Sequence, residues 1–232
     1  MSQEHLVSEC LFDGLVKVKG LPWCKEKEKE VGIGKLTAPI LCRHHNRVLG
    51  EVDAGAKRTL KTLREASELW RKRKDVVTKS WSFKPRYTAD MLMLERWCLK
   101  TLININLNKK PTLPFDVHGS MMPTEELVRV AYGLERFKSP MGLYRIAVNG
   151  DVGDADELGD ERIHLVTKSR NDILAAAEFR LWGLRFFLSL VQDQIRWEGG
   201  DLMRGHKQWF CTRDRKQRMV QSHLMTFTYP KD

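Results

Sequence analysis

An α+β fold is what this sequence predicts, and three observations predict it. Hydrophobic residues recur at helical spacing from about residue 54 to 138. Beyond Pro140 that spacing gives way to short alternating runs of the kind strands show. Before residue 54 the chain is loop-rich, punctuated by Gly14, Gly20, Pro22, Gly32, Gly34 and Pro39. The expected order is a small N-terminal unit (1–53), a helical middle (54–138) and an antiparallel C-terminal β-sheet (139–232).

Each element has its own signal. A first helix is expected to open at Asp53, a good N-cap, with Ala56, Leu60, Leu63 and Trp70 on one face. Beside that face runs a basic stripe of Lys57, Lys61, Arg64 and Arg71, interrupted by Glu68. A second helix is expected from about Thr88 to Asn106, with Met91, Leu94, Cys98, Leu102 and Ile105 turned inward. A third starts at Pro123-Thr124, where Thr124 can cap and Glu125-Glu126 suit the positive end of the helix dipole. Its buried face is expected to be Leu127, Ala131, Leu134 and Phe137. LYRIAV (143–148) and RIHLVT (162–167) flank a polar stretch and read as one hairpin. In EFRLWGLRFFLSLV the alternation changes phase at Trp182-Gly183, which predicts a bulge or tight bend there. QIRWE, KQWFCT and HLMTFTY supply shorter strands.

Composition narrows the class of function. With 42% hydrophobic and 30% charged residues, the chain has the make-up of a soluble globular protein. No run approaches the roughly 18 consecutive apolar residues of a membrane span. MSQEHLVSEC lacks a basic n-region and an apolar h-region, so no secretory signal is expected and the cytoplasm is the expected location. The net charge of +10 suits a polyanionic partner, since neutralised phosphates release condensed counterions. No membrane partner is expected. The five cysteines are scattered without a CxxC pair, which argues against a disulfide framework and a four-cysteine zinc ribbon.

The residues that carry chemistry are Glu4-His5 at one end of the N-terminal unit and Cys42-Arg43-His44-His45-Asn46 at the other. CRHHN follows TAPIL, an apolar strand candidate, which suggests a strand running into a helix whose first turn carries Asn46. A hard divalent cation accepts a carboxylate oxygen, an amide oxygen and an imidazole nitrogen.

In this pairing the chain resembles the HNH, or ββα-metal, nuclease families. These often read Glu/Asp-His-Ile-x-Pro and then, after an insert, Cys-x-x-Cys-Asn or Cys-x-x-His-Asn. Here the matching residues are Glu4-His5-Leu6-Val7-Ser8 and Cys42-Arg43-His44-His45-Asn46, with Leu49-Gly50 and Asp53 following. Ser8 stands where those families usually have proline. The resemblance implies a small ββα-metal-like unit in which His5 is the general base that activates water. It implies that Glu4, Asn46 and His45 hold one Mg²⁺, Mn²⁺ or Zn²⁺ on the scissile phosphate, with Cys42 as a small buried residue or a zinc ligand. The implied activity is metal-dependent endonucleolytic hydrolysis of phosphodiester bonds in DNA. Arg43, Arg47, Lys57, Lys61 and Arg64 are then the expected contacts to the nucleic acid.

Simpler readings stand beside these. Glu4-His5 alone reads as a solvated terminus, and CRHHN alone as a helix start capped by Asn46. DVGDADELGDE (151–161) lacks the offsets of a calcium loop and reads as a solvated hairpin loop. His118, His164, His206 and His223 read as surface or core histidines, and Trp182, Trp197 and Trp209 as core. Two other functions remain open: a nucleic-acid-binding protein that keeps the fold without a competent site, and a protein-interaction module using the C-terminal sheet.

Overall fold

The computed structural model describes residues 2–8, 14–19, 24, 27–107, 113–147, 164–170, 173–192 and 201–229. The fold is α+β, with three helices and twelve strands among those residues. QIRWE, the acidic stretch 151–161, Cys10 and Trp197 lie outside them.

Strand β1 (Ser2–His5) pairs antiparallel with β4 (Thr37–Leu41), and β4 runs through Cys42 straight into helix α1 (Arg43–Lys74). Between β1 and β4 the chain makes β2 (Leu15–Lys19), β3 (Lys29–Gly32) and a short 3-10 turn at Ile33–Lys35. After α1 come β5 (Arg86–Asp90), α2 (Met91–Leu107) and α3 (Glu125–Ala131). The remaining strands are β6 (Gly142–Ala147), β7 (His164–Arg170), β8 (Ile173–Leu181), β9 (Leu184–Ser189), β10 (Asp201–Met203), β11 (Lys207–Arg213) and β12 (Met219–Thr228).

Besides the β1–β4 pair there are two sheets. The larger has the order β10-β6-β9-β8-β7-β2-β3, antiparallel except where β2 lies parallel to β7. The smaller has the order β11-β12-β5, with β5 parallel to β12. Strands from the N-terminal and middle stretches therefore complete sheets built mainly by the C-terminal stretch.

Helix α1 begins ten residues earlier than the Asp53 start expected from capping chemistry. Cys42 takes the extended N-cap conformation without a side-chain hydrogen bond, and the Asn46 amide closes the first turn on the Cys42 carbonyl. Asn46 is thus inside the helix and does not cap it. Tertiary packing overrides the weak cap, because Leu49 and Val52 extend the buried stripe of Ala56, Leu60, Leu63 and Trp70 toward the N-terminus. At the other end the Trp70 indole donates to the Cys211 carbonyl at 3.0 Å, which docks α1 on the smaller sheet.

Helix α2 is buried nearly all round, which identifies it as the central element. Its cap is Asp90, whose Oδ1 accepts from the amides of Leu92 and Met93. The inward residues Met91, Leu94, Cys98, Leu102 and Ile105 are buried as their spacing predicts. In α3 the Thr124 hydroxyl accepts from the Leu127 amide, the expected cap. Leu134, expected on the buried face, is 68% exposed, because the helix ends at Ala131 and Gly133 turns the chain away at φ +74°.

One strand expectation needs correction, and the tight bend expected at Trp182-Gly183 is borne out. LYRIAV and RIHLVT do not form a hairpin: β6 pairs with β9 and β10, while β7 pairs with β8 and β2. Trp182-Gly183 is a two-residue turn joining β8 to β9, with φ of 50° and 79° at its two positions. Positive φ at both central residues matches the right-handed twist of the flanking strands, and burial holds the tryptophan in that conformation.

Candidate functional site

The candidate site begins with Ser8. Its hydroxyl donates to Asp53 Oδ1 at 2.5 Å and accepts from the Trp97 indole N–H at 3.2 Å. Asp53 Oδ2 accepts from Lys100 Nζ at 2.8 Å, and the lysine side chain is only 3% exposed. The network ties the segment after β1 to the third turn of α1 and to the middle of α2. Ser8 is the residue that makes the tie.

Asn46 lies seven residues before Asp53, two turns and about 10 Å along the same helix face. His5 lies three residues before Ser8, separated from it by a bend at Leu6 and Val7. Both His5 and Asn46 take part in further contacts. The backbone of Glu4 lies in β1 opposite Ala38. The side chains of Glu4 and Arg43 lie outside the described part.

At the start of α1, Cys42 Sγ and His45 Nδ1 are 3.3 Å apart, and both residues are exposed. Two ligands of a tetrahedral zinc sit about 3.5 Å apart, given Zn–S and Zn–N bonds of about 2.3 and 2.0 Å. The pair thus fits two corners of a zinc site, and Asn46 and His45 fit the oxygen and nitrogen chemistry of a harder divalent ion. Cys42 is not the small buried residue that one reading of the sequence expected. Among the described residues no three His, Cys, Asp or Glu side chains converge as a closed metal cage. The His45 ring meets Tyr132 edge-on, with centroids 5.7 Å apart, and His44 packs against His45 at the same separation. Comparison with protein-family models, curated proteins and solved structures finds no match for this chain.

The basic side chains divide into two groups. Arg47, Lys57 and Lys61 are exposed along α1, whereas Arg64 binds Glu68 at 2.9 Å. Lys61 approaches Glu65 at 3.8 Å, a loose exposed pair that leaves its charge available to a polyanion.

Sequence patterns gave no signal for a second polar group, between α2, β6 and β12. Glu95, fully buried, accepts from the Leu143 amide at 2.8 Å and from the Tyr229 hydroxyl at 3.2 Å, and burial raises its pKa. Arg145, 1% exposed, lies over the Phe227 ring, and burial lowers its pKa to about 10. His206 stacks on the other residue of that contact, Phe227, at 4.8 Å between centroids. Burial, with the nearby Arg145 charge, lowers its pKa to about 4. His223 is wholly buried against Phe210, and burial, with Arg73 adding to it, brings its pKa to about 4 as well. Both histidines are neutral packing residues at pH 7. His118 is exposed, Trp182 buried and Trp209 half-buried, while the His164 side chain lies outside the described part.

Proposed function

We propose that this protein hydrolyses phosphodiester bonds in nucleic acid, DNA in particular, at the start of α1, with one divalent metal ion. The observation that carries the reading is the β1–β4 pair that runs directly into α1 and is tied back to it by the Ser8–Asp53 hydrogen bond. When bound, Mg²⁺, Mn²⁺ or Zn²⁺ supplies charge stabilisation at the phosphate and at the leaving oxygen. The His5 imidazole takes the proton of the attacking water, a role that suits histidine because its charge change falls near neutral pH. Asn46 and His45, with Glu4, would hold the ion, and the Lys100–Asp53–Ser8 network ties α1 to α2 and to the segment that follows β1. Exposed Arg47, Lys57 and Lys61 lie along the backbone of the nucleic acid.

Plasmid cleavage by the purified protein with each of the three metals, beside His5→Ala and Asn46→Ala, tests the reading. Nicking or linearisation is expected, and each substitution is expected to lower the rate at least about a hundredfold. Cleavage that survives both changes would place the chemistry elsewhere. A second reading is nucleic-acid binding without hydrolysis, favoured by the exposed basic side chains along α1. It predicts retention that falls steeply with salt, with no strand cut under any of the metals.

A further inference from the structure

Next to His45 a cleft of about 220 Å³ opens between α1, α2 and α3. Its walls are mostly apolar, with Leu49 from α1, Ile103 from α2 and Val128 from α3. Sites for drug-sized molecules run from roughly 300 to 1,000 Å³, so this one suits a single ring system. Its floor holds one polar group without a partner. Asn104 is 3% exposed, and its Nδ2 has no hydrogen bond among the described residues. A buried amide left unmade costs about 1–3 kcal/mol, which an acceptor atom on an occupant would recover. At the mouth the His45 and Tyr132 rings meet edge-on, offering a flat occupant aromatic contact.

We propose that this cleft receives one unstacked nucleobase of the bound strand. The inference rests on the nucleic-acid reading above, and it names what that reading leaves unspecified: the part of the substrate held beside the reacting phosphate. Three features select a base over other flat groups. The unpartnered Asn104 Nδ2 donor suits an acceptor atom on a base edge. The aromatic mouth suits stacking of an extruded ring. The cleft shares His45 with the start of α1, where the phosphate would lie. A base swung out of its stack into the cleft thus stays joined to a phosphate at the start of α1.

The test is titration of the wild-type protein with the uncharged nucleosides adenosine, guanosine, cytidine and thymidine, followed by ligand-observed NMR. Val128→Trp and Asn104→Leu are titrated in parallel. Saturable binding in the millimolar range is expected, with one base preferred. Val128→Trp, a substitution at an exposed rim position that leaves the core alone, is expected to weaken binding at least tenfold. Asn104→Leu is expected to remove the preference among bases. Oligonucleotide binding and cleavage are measured on the same samples, which separates the two ideas. A protein that binds and cuts oligonucleotides but takes up no nucleoside, or takes it up unchanged in Val128→Trp, would overturn the base site alone. Nucleoside binding blocked by Val128→Trp in a protein that cuts nothing would support the base site and sink the hydrolysis reading.

Discussion

Two buried polar groups sit at opposite sides of α2, and they are built differently. On the side of α1, Lys100, Asp53, Ser8 and Trp97 form a closed chain in which the ammonium has a carboxylate and the carboxylate has a hydroxyl. On the side of β6 and β12, the Arg145 guanidinium is buried with Nε and Nη1 lacking partners among the described residues. Glu95, the nearby carboxyl, is engaged instead by the Leu143 amide and the Tyr229 hydroxyl, with Arg204 at 3.7 Å. A charge buried with its counter-charge holds elements in register. A charge buried without one is tolerated only because the surrounding apolar packing outweighs it. The difference teaches which network the candidate site depends on: the paired one fixes α1 against β1, and the unpaired one does not touch that unit.

The sharpest way to break the comparison is to remove one partner from the closed chain. Asp53→Ala removes the carboxylate that faces the buried Lys100 ammonium, and about 3–5 kcal/mol of unfolding free energy is expected to be lost. Urea unfolding checks this, and a loss under about 1 kcal/mol would mean that the pair does not hold the helix.

The opposite outcome is expected on the other side. Arg145→Met keeps the length of the side chain and removes the uncompensated charge, so stability is expected to be unchanged or to rise by about 1–4 kcal/mol. The same unfolding series reads it. A clear loss would show that the guanidinium has a counter-charge in solution.

The smallest effect concerns pH. A histidine whose folded pKa lies below its unfolded one stabilises the fold while neutral. For His206 and His223 the values move from 6.5 to about 4. Their contribution is therefore complete above about pH 6.5 and is lost as the pH falls toward 4, because the unfolded chain takes up protons first. Glu95 works in the other sense, since its raised pKa favours the fold at low pH. Replacing both histidines by phenylalanine isolates their share. Between pH 7 and pH 5 the wild type is expected to lose about 1 kcal/mol more than the double variant, a figure discounted for solvent screening. Equal losses would assign the pH dependence to the carboxyl groups.

Local pattern made much of the fold legible. The spacing of Met91, Leu94, Cys98, Leu102 and Ile105 located α2, Thr124 located the start of α3, and alternation located β6, β8, β9, β11 and β12. The capping signal at Asp53 put the start of α1 too late, whereas the reading of CRHHN as a helix start with Asn46 in its first turn is borne out. It could not find β5, a five-residue strand whose place depends on β12, more than a hundred residues later. For the candidate site, the order Glu4-His5 and then Cys42 to Asn46 was visible, and so was the strand that precedes the helix. Ser8 was noticed as a departure from a pattern, but its role was not readable. Asn104 gave no signal at all, being one polar residue inside an apolar helix.

What the sequence determined by itself is where the chain bends and which side of each helix is apolar. Those properties follow from the backbone's own repeat and from neighbours three or four residues away. What only the tertiary structure decided is partnership. That includes β6 with β9 and β10 and not with β7, the Ser8–Asp53 contact across 45 residues, and the burial of Arg145 and Asn104. Such choices compare whole packings of distant segments, and their energies are differences that no local pattern carries.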